Sequence, residues 1–190
     1  MHKTNTLLAM AAVLLTMTSN GQVYHWSHSY GLAEPLYPTY VYHTDIDDAG
    51  NVYSIGTFYD TLDLDHGPGV QNVVSVGQRD IYVRRINADG SFGWGCSYGT
   101  TGNDEPHDLQ LDNSGRLVIM GMCPFVFTIS NGGGSYSFVP VNNYGLHLIR
   151  FNSDGQVLDG VSLPGGNAIG TRRFGVANNG DYVIGGSFRN

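Results

Sequence analysis

Asp47-Asp48-Ala49-Gly50-Asn51-Val52-Tyr53-Ser54-Ile55-Gly56 returns, with every residue number raised by 65, as Asp112-Asn113-Ser114-Gly115-Arg116-Leu117-Val118-Ile119-Met120-Gly121. One more step of the same size leads to Ala177-Asn178-Asn179-Gly180-Asp181-Tyr182-Val183-Ile184-Gly185-Gly186. Gly50, Gly115 and Gly180 stay in phase, as do Gly56, Gly121 and Gly186. A second module keeps the same offset, with Ile81-Tyr82-Val83-Arg84-Arg85-Ile86-Asn87-Ala88-Asp89-Gly90 falling on Leu146-His147-Leu148-Ile149-Arg150-Phe151-Asn152-Ser153-Asp154-Gly155. A fixed period of this length marks a repeat architecture.

Each module reads as two strands around a tight turn. Asp48, Asn113 and Asn178 are placed to accept a hydrogen bond from the turn backbone, and the glycine two residues on supplies the left-handed conformation that closes a hairpin. Asn87 with Gly90 and Asn152 with Gly155 read as the same device one residue wider. Val52–Ile55, Leu117–Met120 and Tyr182–Ile184 are apolar on both faces, the pattern of strands covered on both sides. Between the modules, Thr61-Leu62-Asp63-Leu64-Asp65 alternates, and Val126-Phe127-Thr128-Ile129-Ser130 keeps its apolar residues at 127 and 129, so both read as half-buried strands. Loops follow at Gly67-Pro68-Gly69 and Gly132-Gly133-Gly134, and then Asn72–Val76 or Ser137–Val141, where Pro140 limits the strand to an edge or a bulge. The expected fold is all-β: a β-propeller of about two and a half four-stranded blades of about 65 residues each, its ring incomplete in this chain. Repeat one covers about 26–93, repeat two about 94–160, and a partial repeat three about 161–190.

Composition agrees. The 190 residues include 27 Gly, and 41% are apolar, enough for a core and rich in turn formers. Of the acidic side chains fourteen are Asp and two Glu, a bias toward turns over helices. At the N-terminus, Met1-His2-Lys3 precedes an apolar run from Leu7 to Met17 broken only by Thr16. That run is too short to span a bilayer and fits a secretory signal peptide over 1–21, with cleavage after Gly21. No membrane insertion is expected. Removing the leader removes Lys3, the only lysine, and the net charge becomes more negative than the −7 of the whole chain. With no basic stripe, nucleic acid is not an expected partner. A disulfide between Cys96 and Cys123 is left open by the sequence.

The chain resembles the secreted bacterial SBBP (seven-bladed β-propeller) repeats. The matching signature runs Gly102-Asn103-Asp104-Glu105, then Leu109-Gln110-Leu111-Asp112-Asn113-Ser114-Gly115, and in the preceding copy Asp48–Gly56. Thr61–Gly69, Asp80-Ile81-Tyr82-Val83 and the stretch from Asp89-Gly90 to Trp94 resemble the longer repeat form of that family. The likeness covers roughly 26–190, and the second copy departs from it where Thr128 and Ser130 replace Asp63 and Asp65. The resemblance implies an exported or cell-surface protein, often large and often ending in a sorting domain. Since a closed ring needs at least about four blades, the expectation is an N-terminal fragment of a longer chain that supplies further blades. Assembly with other chains is the alternative.

Asp104, Glu105, His107 and Asp108 form the densest ionisable cluster, and a carboxylate–histidine group can serve acid–base catalysis or hold a metal. The cluster precedes an inner strand, where propeller loops often line one mouth of the ring, and its counterparts one period earlier are Thr39, Tyr40, Tyr42 and His43. Asp104, His107 and Asp108 are therefore the candidate ligand-binding residues, with a protein or carbohydrate ligand. Asp45-Ile46-Asp47-Asp48-Ala49-Gly50 looks like the start of a calcium loop, but Ala49 and Gly56 stand where ligands belong. The repeat explains its Asx-Gly pair as a turn. Asp63 and Asp65 are similarly read as structural, and no metal, catalytic residue or cofactor is assigned. Trp26 and Trp94, spaced by 68, read as packing between strands. No nucleophile elbow, phosphate loop or paired Cys-x-x-Cys is present. The expected function is a non-enzymatic scaffold or binding module, and the alternative is the propeller portion of a secreted glycan-degrading hydrolase or lyase.

Overall fold

A computed structural model describes residues 38–132, 134–140, 145–163 and 173–186. The proposed leader over 1–21 and Trp26 lie outside them. The described residues are all-β and contain no helix. The chain enters at β1 (Tyr40–Ile46) and turns into β2 (Val52–Phe58). A short arm follows, β3 (Thr61–Asp63) and β4 (Asn72–Val74), and then β5 (Asp80–Ile86) and β6 (Phe92–Tyr98). The same series begins again with β7 (Glu105–Leu111), β8 (Leu117–Cys123), the arm β9 (Phe127–Ser130) and β10 (Ser135–Phe138), β11 (Gly145–Phe151) and β12 (Val157–Leu163). A third sheet starts with β13 (Arg173–Val176) and β14 (Tyr182–Gly185).

Two four-stranded antiparallel sheets result, ordered β1-β2-β5-β6 and β7-β8-β11-β12, with three two-stranded sheets and none closed on itself. Each arm is inserted between the second and third strands of its sheet and pairs only with itself. The bounds of β7, β8, β11 and β12 are those of β1, β2, β5 and β6 advanced by 65. The irregularities repeat as well. β1 bulges between Val41 and His43 and β7 between Pro106 and Asp108, while the β5–β6 and β11–β12 ladders shift at Arg85/Ile86 and Arg150/Phe151. A bulge bends its strand and re-aims one side chain, so the same bend opens both sheets.

The turns correct the sequence reading in two respects. Each is closed by the amide of the glycine donating to the carbonyl three residues earlier, at Asp47, Asn87, Asp112, Asn152 and Ala177, so all five have one size. In the Asp47 and Asp112 turns the side-chain acceptor also sits one position earlier than expected, whereas Asn152 accepts where the sequence places it. Asp47 Oδ1 receives the Asn51 amide at 2.8 Å, Asp112 Oδ1 those of Ser114 and Arg116, and Asn152 Oδ1 those of Asp154 and Gln156. Asn113 instead reaches the next sheet, donating Nδ2 to the Ala177 carbonyl at 3.1 Å. Gly50, Gly90, Gly115, Gly155 and Gly180 all have φ between +71° and +88°, where a side chain is strained.

The sheets are layered face to face. Tyr53, Ile55, Ile81, Val83 and Tyr98 of the first sheet share one apolar cluster with Leu117, Ile119, Ile149 and Phe151 of the second. Val118, Met120, Leu146 and Leu148 on the other face of the second sheet cluster with Phe174 of β13. The arms cover the rim: Leu62 and Leu64 pack with Phe58 and Tyr82, and Phe127, Ile129 and Phe138 join the main cluster. Residues of β2, β8, β5 and β11 are therefore buried on both faces, as their apolar pattern requires. Full burial of each Ile or Phe contributes about 1.5–3 kcal/mol. Tyr182–Gly185 differs, because Val183 is exposed and only two strands of its sheet are described. Pro140 follows β10 and lies in no strand.

Gly56 and Gly121 have a packing role. Each faces a ring on the paired strand, Tyr82 or His147. A Cβ on Gly121 would come within 2.7 Å of His147 Nε2, and one on Gly56 within 2.6 Å of the Tyr82 ring. The glycines and the rings are one cross-strand unit, repeated.

Candidate functional site

The bulges bring together His43, Asp108 and Arg173, which are one residue per sheet at successive intervals of 65. β1 and β13 both lie against β7, so the three side chains form a row across the first strands. Asp108 is 3% exposed. Its Oδ2 accepts the Phe174 amide at 3.0 Å and its Oδ1 accepts the Leu109 amide at 3.0 Å. Arg173 Nη1 lies 3.3 Å from Oδ1, and His43 Nδ1 lies 3.7 Å from the same atom. Burial lowers the pKa of His43, the Arg173 guanidinium lowers it further, and Asp108 and the hydrogen bond to His107 only partly oppose them. His43 is thus neutral at pH 7 and a hydrogen-bonding group.

Neighbouring bonds have the same character. Asp45 Oδ2 of β1 accepts the Leu111 amide of β7 at 2.8 Å, and Gln110 Nε2 donates to the Phe174 carbonyl. Side chains of one first strand thereby satisfy the backbone of the next, where no ladder exists. Around the row, Tyr40, Val41 and Tyr42 are exposed, and the two tyrosine rings meet edge to face at 6.4 Å.

Of the three residues singled out from sequence, Asp108 belongs to this row and His107 occupies the bulge beside it. Asp104 does not join them. It is 0% exposed, in the loop between the two large sheets, where Oδ2 accepts the Thr100 amide at 2.7 Å and Oδ1 the Thr100 hydroxyl at 3.0 Å. Its own amide donates to the Arg79 carbonyl, and Arg79 donates in turn to the Glu105 carboxylate at 2.9 Å. Gly77 rests on the Thr101 backbone, closing the loop pair. Burial raises the pKa of Asp104 against the opposing bonds from Thr100 and Cys123.

A second buried carboxylate lies nearby. Asp80 is 1% exposed, and its Oδ2 accepts the Val76 amide at 3.0 Å while Oδ1 has no hydrogen-bond partner among the described residues. Burial moves its pKa up to about 6, with the charge of Asp104 adding to the rise. Cys96 and Cys123 are both buried free thiols. Burial pushes Cys96 up to about 12 and Cys123 higher, with Asp104 and Asp80 adding to the latter. Neither is a thiolate at neutral pH, so neither is a ready nucleophile.

Among the residues of the calcium-like stretches, Asp47 serves its turn, Asp63 serves the loop of its arm, and Asp45 bonds the next sheet. Asp47 also binds Asn51 Nδ2 at 2.8 Å, and Asp63 Oδ1 accepts the amides of Asp65 and Gln71. Among the described residues, no three His, Cys, Asp or Glu side chains converge as a cation-binding group. Sequence reasoning missed the partners His43 and Arg173, although their shared phase with Asp108 was the signal that could have found them. It also missed His147, buried at 1% among Tyr98, Phe127 and Phe138 with its Nε2 3.0 Å from the Tyr98 hydroxyl.

Comparison of the chain with protein-family models, with curated proteins and with solved structures finds no match.

Proposed function

We propose that this chain is part of an exported or cell-surface β-propeller of the SBBP repeat type, acting as a non-enzymatic scaffold or binding module. The observation that carries the reading is the recurrence, once per period, of a four-stranded antiparallel sheet with its arm, its turns and its bulges, each copy turning an apolar face to the next. Propeller blades are sheets of this kind arranged radially. The ionisable residues of the candidate site support a scaffold more than a reaction centre. Asp104 and Asp108 are almost wholly buried and accept main-chain amides at sheet junctions. Arg173 is the exposed member of the row, and exposed Tyr40 and Tyr42 flank it, which suits recognition of a protein or carbohydrate surface.

The test is to incubate the full chain with a panel of soluble polysaccharides, measuring retention and the release of reducing ends together. The reading expects no reducing-end release, and any retained polysaccharide should be lost in Arg173→Ala with the fold intact. Catalytic release that disappears in Asp108→Asn would establish the glycan-degrading alternative instead.

A further inference from the structure

At its start, β6 meets the second sheet through a tryptophan. The Trp94 ring stacks on Phe151 with centroids 5.8 Å apart and planes at 22°, and its Nε1 donates to the Ser153 carbonyl at 3.0 Å. It also crosses Gly155, where a Cβ would lie 2.4 Å from the ring. Only glycine admits the indole there. The strand then runs Trp94-Gly95-Cys96-Ser97-Tyr98-Gly99.

The pattern Trp-x-x-Ser-Tyr-Gly occurs once more, as Trp26-Ser27-His28-Ser29-Tyr30-Gly31. Its spacing from the first is 68 rather than 65, and the difference is accounted for by the connection. Five residues separate Gly99 from Glu105, and eight separate Gly31 from Tyr40. The segment thus stands before β1 as β6 stands before β7.

The first sheet carries the matching receptor. Ile86, Ala88 and Gly90 occupy on it the places that Phe151, Ser153 and Gly155 occupy on the second, and Gly90 has φ +87° beside +80° at Gly155. Between the sheets, Cys96 shares an apolar cluster with Ile119 and Ile149. One period earlier those two positions are Ser54 and Arg84, joined by a 3.3 Å hydrogen bond, and the residue of the segment in the place of Cys96 is His28. In the sequence correspondence, polar residues thus replace apolar ones both in the segment and on the sheet. We propose that Trp26–Gly31 docks on the outward face of the first sheet as Trp94–Gly99 docks on the second, with the Trp26 indole crossing Gly90. The N-terminal stretch is then a packed element of the scaffold, and the first sheet is covered on both faces by segments of this chain. The inference rests on the repeat geometry and not on the binding role.

The chain has two tryptophans, so Trp94→Phe in the full chain leaves Trp26 as the sole indole reporter. Native emission should be blue-shifted, with acrylamide quenching reduced relative to the same variant in guanidinium chloride. Adding Gly90→Ala should red-shift the emission and restore quenching. Gly115→Ala, which has similar backbone strain at φ +71° and nothing within 4 Å of its Cβ, should do neither. A solvent-exposed Trp26 in the parent, shielding that survives Gly90→Ala, or equal exposure in both glycine variants would each overturn the proposal. If Trp94→Phe does not fold, subtracting the emission of Trp26→Phe from that of the unmodified chain gives the same readout with Trp94 in place.

Discussion

His147→Phe tests how the junction between the two large sheets handles a buried titratable group. His147 lies in β11 over Gly121, with Tyr98, Phe127 and Phe138 around its ring and the Tyr98 hydroxyl on its Nε2. Burial, aided by the neighbouring charge of His107, lowers its pKa to about 3. An unfolded histidine titrates near 6.5. Between those values the unfolded chain carries the proton and the native chain does not. Stability contributed by the neutral imidazole is therefore complete above pH 6.5 and declines as the pH falls, at about 1.4 kcal/mol per pH unit. By pH 4 the loss is roughly 3 kcal/mol. Phenylalanine keeps a ring over Gly121 but leaves the buried Tyr98 hydroxyl without its hydrogen-bond partner, at a cost of about 1–3 kcal/mol. The variant should be less stable than the parent at pH 7 and equal or more stable at pH 4. Urea unfolding followed by tryptophan emission at pH 7, 5.5 and 4 gives the difference directly, and groups common to both chains cancel. A difference that stays constant across that range would refute the reasoning, because it would mean that His147 titrates alike in both states.

Asp80 works in the opposite direction. Its pKa is raised to about 6, so the native state takes up the proton first and stability from this group rises as pH falls from 6 toward 4. Asp80→Asn should stabilise the chain at pH 7 by about 1–3 kcal/mol and flatten that slope, read by the same unfolding series. Gly155→Ala should cost about 2–4 kcal/mol, adding overpacking against Trp94 to left-handed strain. Gly115→Ala, with open space around its Cβ, should cost only about 1 kcal/mol, and thermal melts separate the two. Cys96 and Cys123 should be silent to a thiol reagent in the native chain and both reactive in denaturant, whereas a disulfide would leave neither reactive.

The strands and their order of appearance were legible because the chain states them twice. Gly50, Gly90, Gly115 and Gly155 mark turns that only a left-handed residue closes, and the runs between them are apolar on both faces because sheets lie against both. The arms were legible at Leu62 and Ile129 from alternation alone. What periodicity did not reveal is which atom of an Asx turn accepts the hydrogen bond. Asp47 and Asp48 look equivalent as letters, and only the path of the backbone brings Asp47 under the Asn51 amide. The candidate site was half legible for a related reason. A run of Asp104, His107 and Asp108 signals ionisable density, but burial decides its use, and the bulge at His107 sends Asp108 toward Phe174 in the next sheet while Asp104 turns back to Thr100. His43 and Arg173 are distant in sequence and meet Asp108 only because the first strands lie side by side.

Central to the fold is the stacking of two large sheets through faces that lie one full repeat apart in the chain. Nuclear Overhauser contacts of the Trp94 indole test this without altering a residue. Cross-peaks should connect it to the Phe151 ring and to the Gly155 α protons, the latter moved upfield by the indole ring. A well-dispersed, folded spectrum in which Trp94 shows contacts only within its own sheet would contradict the stacking and the repeat architecture built on it.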